Sequence, residues 1–205
     1  DTHCHLDLKQ YEQDRDLVIK RAIDTGVVRF IVPGINVESS KKAIQLSIDY
    51  DEVFASCGIH PHEADKITDQ DTKKIEILAR ENSKVVAIGE IGLDYYREFA
   101  SKENQIKLFT ECVRIAKHLD YPIIVHSRQA EEDVLKILKE EHKGVLRGVI
   151  HCFSGNKIFL KEVIDLGFYV SFTGGITFEK SVESRELLKY VPIDRLLLET
   201  DAPYI

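Results

Sequence analysis

The chain alternates short apolar, β-branched segments with longer amphipathic ones, and this alternation constrains its fold more than any other feature. One amphipathic segment, for example, carries Ile106, Phe109, Val113 and Ala116 at helical spacing. The pattern predicts helices near residues 14–25, 38–49, 69–82, 102–119, 129–142, 157–166 and 180–190. It predicts strands at the opening run, of which only the end is present, and over 30–32, 53–58, 85–91, 122–126, 148–153, 168–172 and 195–199.

Eight strands separated by seven helices indicate parallel pairing through right-handed crossovers. A doubly wound open sheet and a (β/α)8 TIM barrel both fit an α/β pattern of this kind. The strand count and the positions of the polar residues favour the barrel. We therefore expect a single TIM-barrel domain over residues 1–205. The chain contains no Met and stops abruptly at Ile205, so we expect truncation at both ends, with the last helix missing.

The composition excludes several classes of protein. A hydrophobic fraction of 43% with 31% charged residues is that of an ordinary globular protein, and no apolar stretch is long enough to span a membrane. Four cysteines without C-x-x-C spacing are typical of reduced thiols, and we expect a cytoplasmic protein. The net charge of −7 argues against an extended basic surface, but it allows a compact phosphate site that contains bound cations.

Several predicted strands end in a side chain that can bind a metal ion. In the opening run His3-Cys4-His5, residues two apart point to the same side of an extended chain. In a parallel barrel the carboxyl ends of all strands meet at one mouth, where barrel enzymes keep their catalytic groups. Six residues are therefore expected to face one centre: His3, His5, Glu90, His126, His151 and Asp201. Two ions that share a bridging carboxylate would use all six.

Three neighbours of these residues require separate interpretation. Cys4 and Cys152 alternate to the opposite face, toward the helices, and we expect them to be packing residues rather than ligands. Glu199 shares a face with Asp201 but lies one layer deeper. Direct coordination and a supporting contact to another ligand are both open for Glu199.

The strand-end motifs, taken together and in order, resemble the TatD family of metal-dependent hydrolases, within the amidohydrolase superfamily. The resemblance covers essentially the whole chain and rests on the strings DTHCHLD (1–7), GIHPH (58–62), GEIGLDYY (89–96), PIIVHSR (122–128), HCFSG (151–155) and ETDAPY (199–204). It implies a deoxyribonuclease or related phosphodiesterase. It also implies one divalent metal ion held by His3, His5 and Asp201, and a second held by His126 and His151, with Glu90 bridging.

The mechanistic hypothesis is hydrolysis of a phosphodiester by a hydroxide that two divalent ions activate. Zn, Mg, Mn and Co all suit imidazole and carboxylate ligands. Glu90 and Asp201 are predicted to be catalytic, and Asp201 would both bind a metal and accept the proton of the attacking water. The expected substrate is DNA, single-stranded or at its ends.

Four residues are candidates for substrate binding. Arg128 lies two residues past His126, and its guanidinium fork suits phosphate oxygens. His60 and His62 follow a predicted strand, and either would contact phosphate or protonate the leaving group. Arg97 lies in the loop after the third motif and is a further candidate.

Two other functions remain open at this stage. The same ions would activate water against a carbonyl, so the alternative is a metal-dependent amide or ester hydrolase, such as a deacylase acting on a small molecule or aminoacyl-tRNA. The third possibility is a non-catalytic barrel that binds metal or nucleic acid. The complete ligand set favours catalysis, and Arg128 with the paired histidines favours phosphate over acyl substrates. The sequence leaves the oligomeric state open.

Overall fold

The computed structural model describes residues 1–142 and 146–205, and in these ranges strands and helices alternate as the sequence predicts. The strands are β1 (Phe30–Pro33), β2 (Val53–Cys57), β3 (Val85–Asp94), β4 (Ile123–Arg128), β5 (Gly148–Ile150), β6 (Tyr169–Phe172) and β7 (Leu196–Leu198). The helices are α1 (Arg15–Asp24), α2 (Val37–Asp49), α3 (Asp69–Glu81), α4 (Lys102–Leu119), α5 (Glu131–Glu141), α6 (Lys157–Asp165) and α7 (Val182–Leu188). The seven described strands pair in chain order in one parallel sheet.

The opening segment 1–5 differs from the prediction. It forms one isolated parallel bridge, between Cys4 and Ala202, instead of a strand. It nevertheless lies between the two edge strands of the curled sheet, because the Thr2 amide donates to the Leu198 oxygen and the Ile31 amide donates to the Asp1 oxygen. Segment 1–5 therefore occupies the eighth position of the barrel, with too few paired residues to count as a strand.

The helices begin where side chains satisfy their first free amide groups. The Asn36 side chain accepts from the Ser39 amide at the start of α2, and Asn156 accepts from the Phe159 amide at the start of α6. α3 begins with a reciprocal capping box between Thr68 and Asp71. In the described ranges no helix combines the length and the apolar composition needed to cross a bilayer.

The strands separate two apolar layers. The larger layer packs the outer face of the sheet against the helices, and it contains Phe109, Val113 and Ala116 of α4 in fully buried positions. The smaller layer fills the inside of the barrel with one residue from each of five strands: Ile31, Ala87, Ile124, Val149 and Leu197. This inner layer forms the floor beneath the carboxyl ends of the strands, as in other TIM barrels.

Gly92 is required where β3 and β4 approach closely. Its φ is +139°, a region that side chains other than glycine rarely adopt, and a Cβ placed there would lie 2.0 Å from the backbone oxygen of His126. Neither the β3 backbone nor the β4 backbone can move aside without breaking the pairing of Gly92 with His126.

Replacing Gly92 with alanine should lower the free energy of unfolding by about 3 kcal/mol, since it adds both an unfavourable φ and a backbone overlap. Urea denaturation would measure the change. Gly174→Ala is the matched control, because no atom lies within 4 Å of the position that its Cβ would take. Equal stability of the two variants would contradict the close approach at Gly92.

Candidate metal centre

β4 and β5 each deliver a histidine to the mouth of the barrel through the two-residue repeat of an extended chain. Ile124 and Val149 belong to the inner layer, and His126 and His151 follow them by two residues. Residues two apart point to the same face, so both imidazoles project inward above the floor. His151 is buried and His126 is half-buried.

Glu90 reaches the same mouth because β3 changes register beside β4. Ile88 pairs with Ile123 and Ile91 with Val125, so β3 contains one more residue than β4 between these pairs. A bulge of this kind shifts the alternation of side chains by one residue. Because of this shift, Glu90 points inward like Ala87, although the two residues are three apart in the chain. The Glu90 carboxylate is buried.

The two oxygens of Glu90 face two different groups of histidines. Oε2 lies 3.5 Å from Nε2 of His3 and 3.8 Å from Nε2 of His5. Oε1 lies 3.0 Å from Nδ1 of His126 and 2.9 Å from Nε2 of His151. The carboxylate therefore stands between a pair of imidazoles from the opening segment and a pair from β4 and β5.

Asp201 completes the side formed by the opening segment. Its Oδ1 lies 3.4 Å from Nε2 of His5 and 3.7 Å from Nε2 of His3. The backbone of Asp201 is left-handed, with a φ of +52°, and its amide donates to the His3 oxygen over 2.9 Å. The first and last parts of the chain are thus joined at this carboxylate.

Asp94 supports His126 from behind and was not predicted to have a role. Its Oδ2 lies 3.1 Å from Nε2 of His126 and 2.9 Å from Nε2 of His62. A carboxylate on the distal nitrogen fixes the orientation and the tautomer of an imidazole, so Nδ1 of His126 is left to face Glu90. The alternation Glu90–Gly92–Asp94 in the third motif was the available signal for this residue.

Glu199 supports the opposite wall, and its contacts separate the two roles that the sequence left open. Its Oε1 accepts from the Cys152 amide and its Oε2 from the Ser171 hydroxyl, each over 2.6 Å. Oε1 also lies 3.6 Å from Nδ1 of His151, on the side away from Glu90. Both oxygens are thus engaged by the barrel wall, which favours a supporting role beneath His151.

His60 points a protonated nitrogen into the centre. The His62 amide donates to its Nδ1 over 3.2 Å, so the proton of the neutral ring lies on Nε2, 3.4 Å from Glu90 Oε1. Burial lowers the pKa of His60 to about 4. His60, Glu90 and His126 do form a possible ligand group by distance. The hydrogen bond from His62 favours a donor role for His60 instead.

The charges around Glu90 are strongly coupled. Burial alone would raise the pKa of Glu90, but the imidazoles of His151 and His60 hold that pKa well below its ordinary value. Burial likewise opposes charge on His151, yet Glu90 and Glu199 raise the pKa of His151 well above its ordinary value. Desolvation lowers the pKa of His3. The Glu90 carboxylate therefore requires a positive charge beside it, either a proton on His151 or a cation.

The spacing of the nitrogen atoms fits bound divalent cations. Ligand bonds of about 2.1 Å at tetrahedral or octahedral angles place two ligand atoms about 3.0–3.5 Å apart. Nε2 of His3 and Nε2 of His5 are 3.2 Å apart, and Nδ1 of His126 is 3.3 Å from Nε2 of His151. The donor set of imidazole nitrogen and carboxylate oxygen is the one that zinc and similar ions prefer.

A cavity of about 600 Å³ opens above these groups, and Arg97 and Arg128 line its rim. All ten residues predicted for the site thus lie in or around one mouth. Cys4 is buried in the layer between sheet and helices, as predicted. The predicted direction of Cys152, toward the helices, was wrong: the residue lines the cavity. Its backbone turns to a φ of +43° just after β5, so the alternation of the strand no longer applies.

A sequence model described as TatD related DNase matches residues 1–205. The chain belongs to this TatD-related DNase family. An uncharacterized metal-dependent hydrolase of Bacillus subtilis, YabD, is 40% identical over all of this chain and 80% of its own length. The 3'-5' ssDNA/RNA exonuclease TatD of Salmonella typhimurium is 35% identical over all of this chain and 79% of its own length. The crystal structure of the Escherichia coli TatD homologue YjjV superposes with a TM-score of 0.93 at 33% identity, covering 99% of this chain and 78% of that one.

These relationships confirm three predictions. The family is the predicted one, and the fold is that of the TIM-barrel hydrolases. The function is that of a metal-dependent hydrolase of the nuclease class. The number of ions and the assignment of individual ligands within this TatD-family centre are taken up as proposals below.

Replacing Asp94 with asparagine should weaken divalent metal binding about 10–100-fold, because the charged support behind His126 and His62 is lost. Competition against a coloured zinc chelator would measure the affinity. Asp24→Asn, at an exposed position near the end of α1, is the matched control. An Asp94→Asn variant with wild-type metal affinity would show that Asp94 does not orient these histidines.

Proposed function

We propose that this TatD-family protein uses two divalent cations to hydrolyse phosphodiester bonds of single-stranded DNA or RNA, from the 3′ end. The position of Glu90 carries the proposal, since its two oxygens face two separate histidine pairs. A buried carboxylate with that arrangement is suited to bridge two cations. The name of the Salmonella relative, a 3'-5' ssDNA/RNA exonuclease, supports the substrate class and the direction.

Each cation would have its own set of ligands, with Glu90 common to both. His3, His5 and Asp201 would hold the first cation, and His126 and His151 would hold the second. Zn, Mn, Mg and Co are all compatible with these ligand types.

When bound, the cations would supply positive charge that polarises a phosphoryl oxygen and makes water acidic near neutral pH. Asp201 would accept the proton of the attacking water and return it to the oxygen that leaves as the P–O bond breaks. His60 would donate a hydrogen bond from Nε2 to a non-bridging phosphate oxygen. Arg97 and Arg128 would hold the phosphates on either side of the scissile one.

The shape and charge of the molecule support a single-stranded end as the substrate. A cavity of about 600 Å³ is in the range of pockets that enclose one small ligand, about 300–1,000 Å³, and does not accommodate a duplex. The net charge of −7 leaves no excess of cationic residues to hold a long stretch of nucleic acid. Arg97 and Arg128, at the rim, supply positive charge at the cavity mouth.

An assay with 3′-labelled single-stranded DNA and divalent metal tests this function, and Glu90→Gln should lower kcat/KM at least about 1,000-fold. The loss corresponds to roughly 4 kcal/mol of transition-state stabilisation, as expected when a bridging carboxylate is removed. Glu140→Gln is the matched control, because Glu140 is an exposed carboxylate on α5.

The same preparation would be assayed on acyl esters and aminoacyl-tRNA. Hydrolysis of acyl substrates without hydrolysis of DNA or RNA would overturn the nuclease proposal in favour of a deacylase. Full activity of the Glu90→Gln variant on DNA would overturn the bridging role of Glu90.

Metal analysis of the purified protein should give two equivalents of divalent metal per chain, and His126→Ala should retain one. Removal of the metal with a chelator should abolish hydrolysis. It should also lower the melting temperature, because ligands that bind the folded state at 100 times their Kd stabilise it by about 2.7 kcal/mol. A single equivalent in the wild-type protein would contradict the two-cation centre, whatever its activity.

A further inference from the structure

Tyr96 is an exposed aromatic residue beside the active-site cavity. Half of Tyr96 is accessible to solvent. The guanidinium carbon of Arg128 lies 3.9 Å from the centre of its ring, and that of Arg97 lies 5.4 Å from it. Both arginines line the cavity, and Tyr96 adjoins them at its rim. The ring thus continues the cavity wall outward, past the two cationic groups.

The backbone around Tyr96 is tied to the metal centre. The amides of Tyr96 and Arg97 donate to Asp94 Oδ1 over 3.0 and 2.9 Å, while Oδ2 of the same carboxylate contacts His126. The next strand adds a further link, since the Tyr95 amide donates to the Arg128 oxygen over 2.9 Å. The backbone at Tyr96 therefore has a defined position relative to the proposed metal ligands, instead of lying on an independent loop.

The neighbouring Tyr95 differs from Tyr96 in its contacts within the protein. Its hydroxyl donates to Asp133 over 2.7 Å, and its ring is covered by Lys102 at 4.2 Å. In residues 1–142 and 146–205, by contrast, the Tyr96 hydroxyl has no hydrogen-bond partner and neither Arg97 nor Arg128 forms an ion pair. Arg128 covers one face of the Tyr96 ring, and the exposed half of the residue and the two guanidinium groups remain available to a ligand.

A ligand that matches this surface has a flat π-face and an adjacent negative charge. Base–aromatic stacking accepts any base, and arginine contributes both stacking and phosphate contacts. We propose, on the basis of the function proposed above, that Tyr96 stacks on the unpaired base next to the scissile phosphodiester, on the side of the substrate that remains outside the cavity. Arg128 orients the ring and binds the phosphate of that nucleotide. Tyr96 is then a positioning residue that limits the substrate to strands with an unpaired base at that position.

Turnover of single-stranded oligonucleotides by the full chain with divalent metal tests this assignment. One oligonucleotide has all its bases, and three others carry a single abasic site at the first, second or third position from the 3′ end. Tyr96→Ala should lower kcat/KM on the complete oligonucleotide about 10-fold, mainly through KM. Tyr96→Phe keeps the ring and should remain within about 2-fold of wild type. The loss caused by Tyr96→Ala should disappear for the substrate that is abasic at the second position, because that base lies next to the first scissile bond on the side outside the cavity. Disappearance of the loss at the first or third position instead would overturn the assignment.

The outcomes separate the two proposals. If wild-type protein hydrolyses the oligonucleotides but Tyr96→Ala has no effect, or an equal effect on all four, base stacking is overturned and the nuclease function stands. If wild-type protein hydrolyses none of them, the nuclease function is overturned and the stacking role with it. Thermal melting of Tyr96→Ala identifies a folding defect, and in that case Tyr96→Leu, which keeps an apolar side chain without a π-face, replaces it in the same comparison.

Discussion

The burial of the Glu90 carboxylate between two pairs of imidazoles is the interaction on which the rest of the site depends. A carboxylate in that position is stable only with positive charge close to both of its oxygens. The bulge between Ile88 and Ile91 turns Glu90 inward, and the strand ends bring the imidazoles to it. Asp94 then holds the outer nitrogen of His126, and Glu199 lies 3.6 Å from the outer nitrogen of His151.

The same contacts close the barrel and assemble the proposed metal centre. Segment 1–5 bonds to both edges of the sheet, and this places His3 and His5 beside Asp201, almost 200 residues away in the chain. A change that separates the edges of the sheet would therefore also separate the proposed ligands. The cavity depends on the same closure, with the proposed metal ligands at its base and longer, exposed side chains at its rim.

The residues that sequence analysis missed or misjudged share a physical cause. Asp94 on β3 contacts His126 on the neighbouring strand β4. This contact depends on the register of the two strands after the bulge. Cys152 was expected to face the helices, but the chain leaves the extended conformation at this residue. The opening segment has the predicted position without the predicted strand, because its backbone bonds to the two sheet edges form only one isolated bridge, between Cys4 and Ala202. Each case depends on strand register or on backbone geometry that local alternation does not encode.

The sequence by itself determined the succession of strands and helices, the barrel class and the candidate ligands, because periodicity and strand-end chemistry are local properties of the chain. Only the tertiary structure decided which oxygen of Glu90 faces which histidines, which carboxylates support His126 and His151, and that Tyr96 lies against Arg128. These features depend on strand register and on contacts between segments far apart in the chain. His3-Cys4-His5 illustrates both: its alternation is visible in three residues of sequence, but its contacts with Glu90 and Asp201 are set by the closure of the barrel.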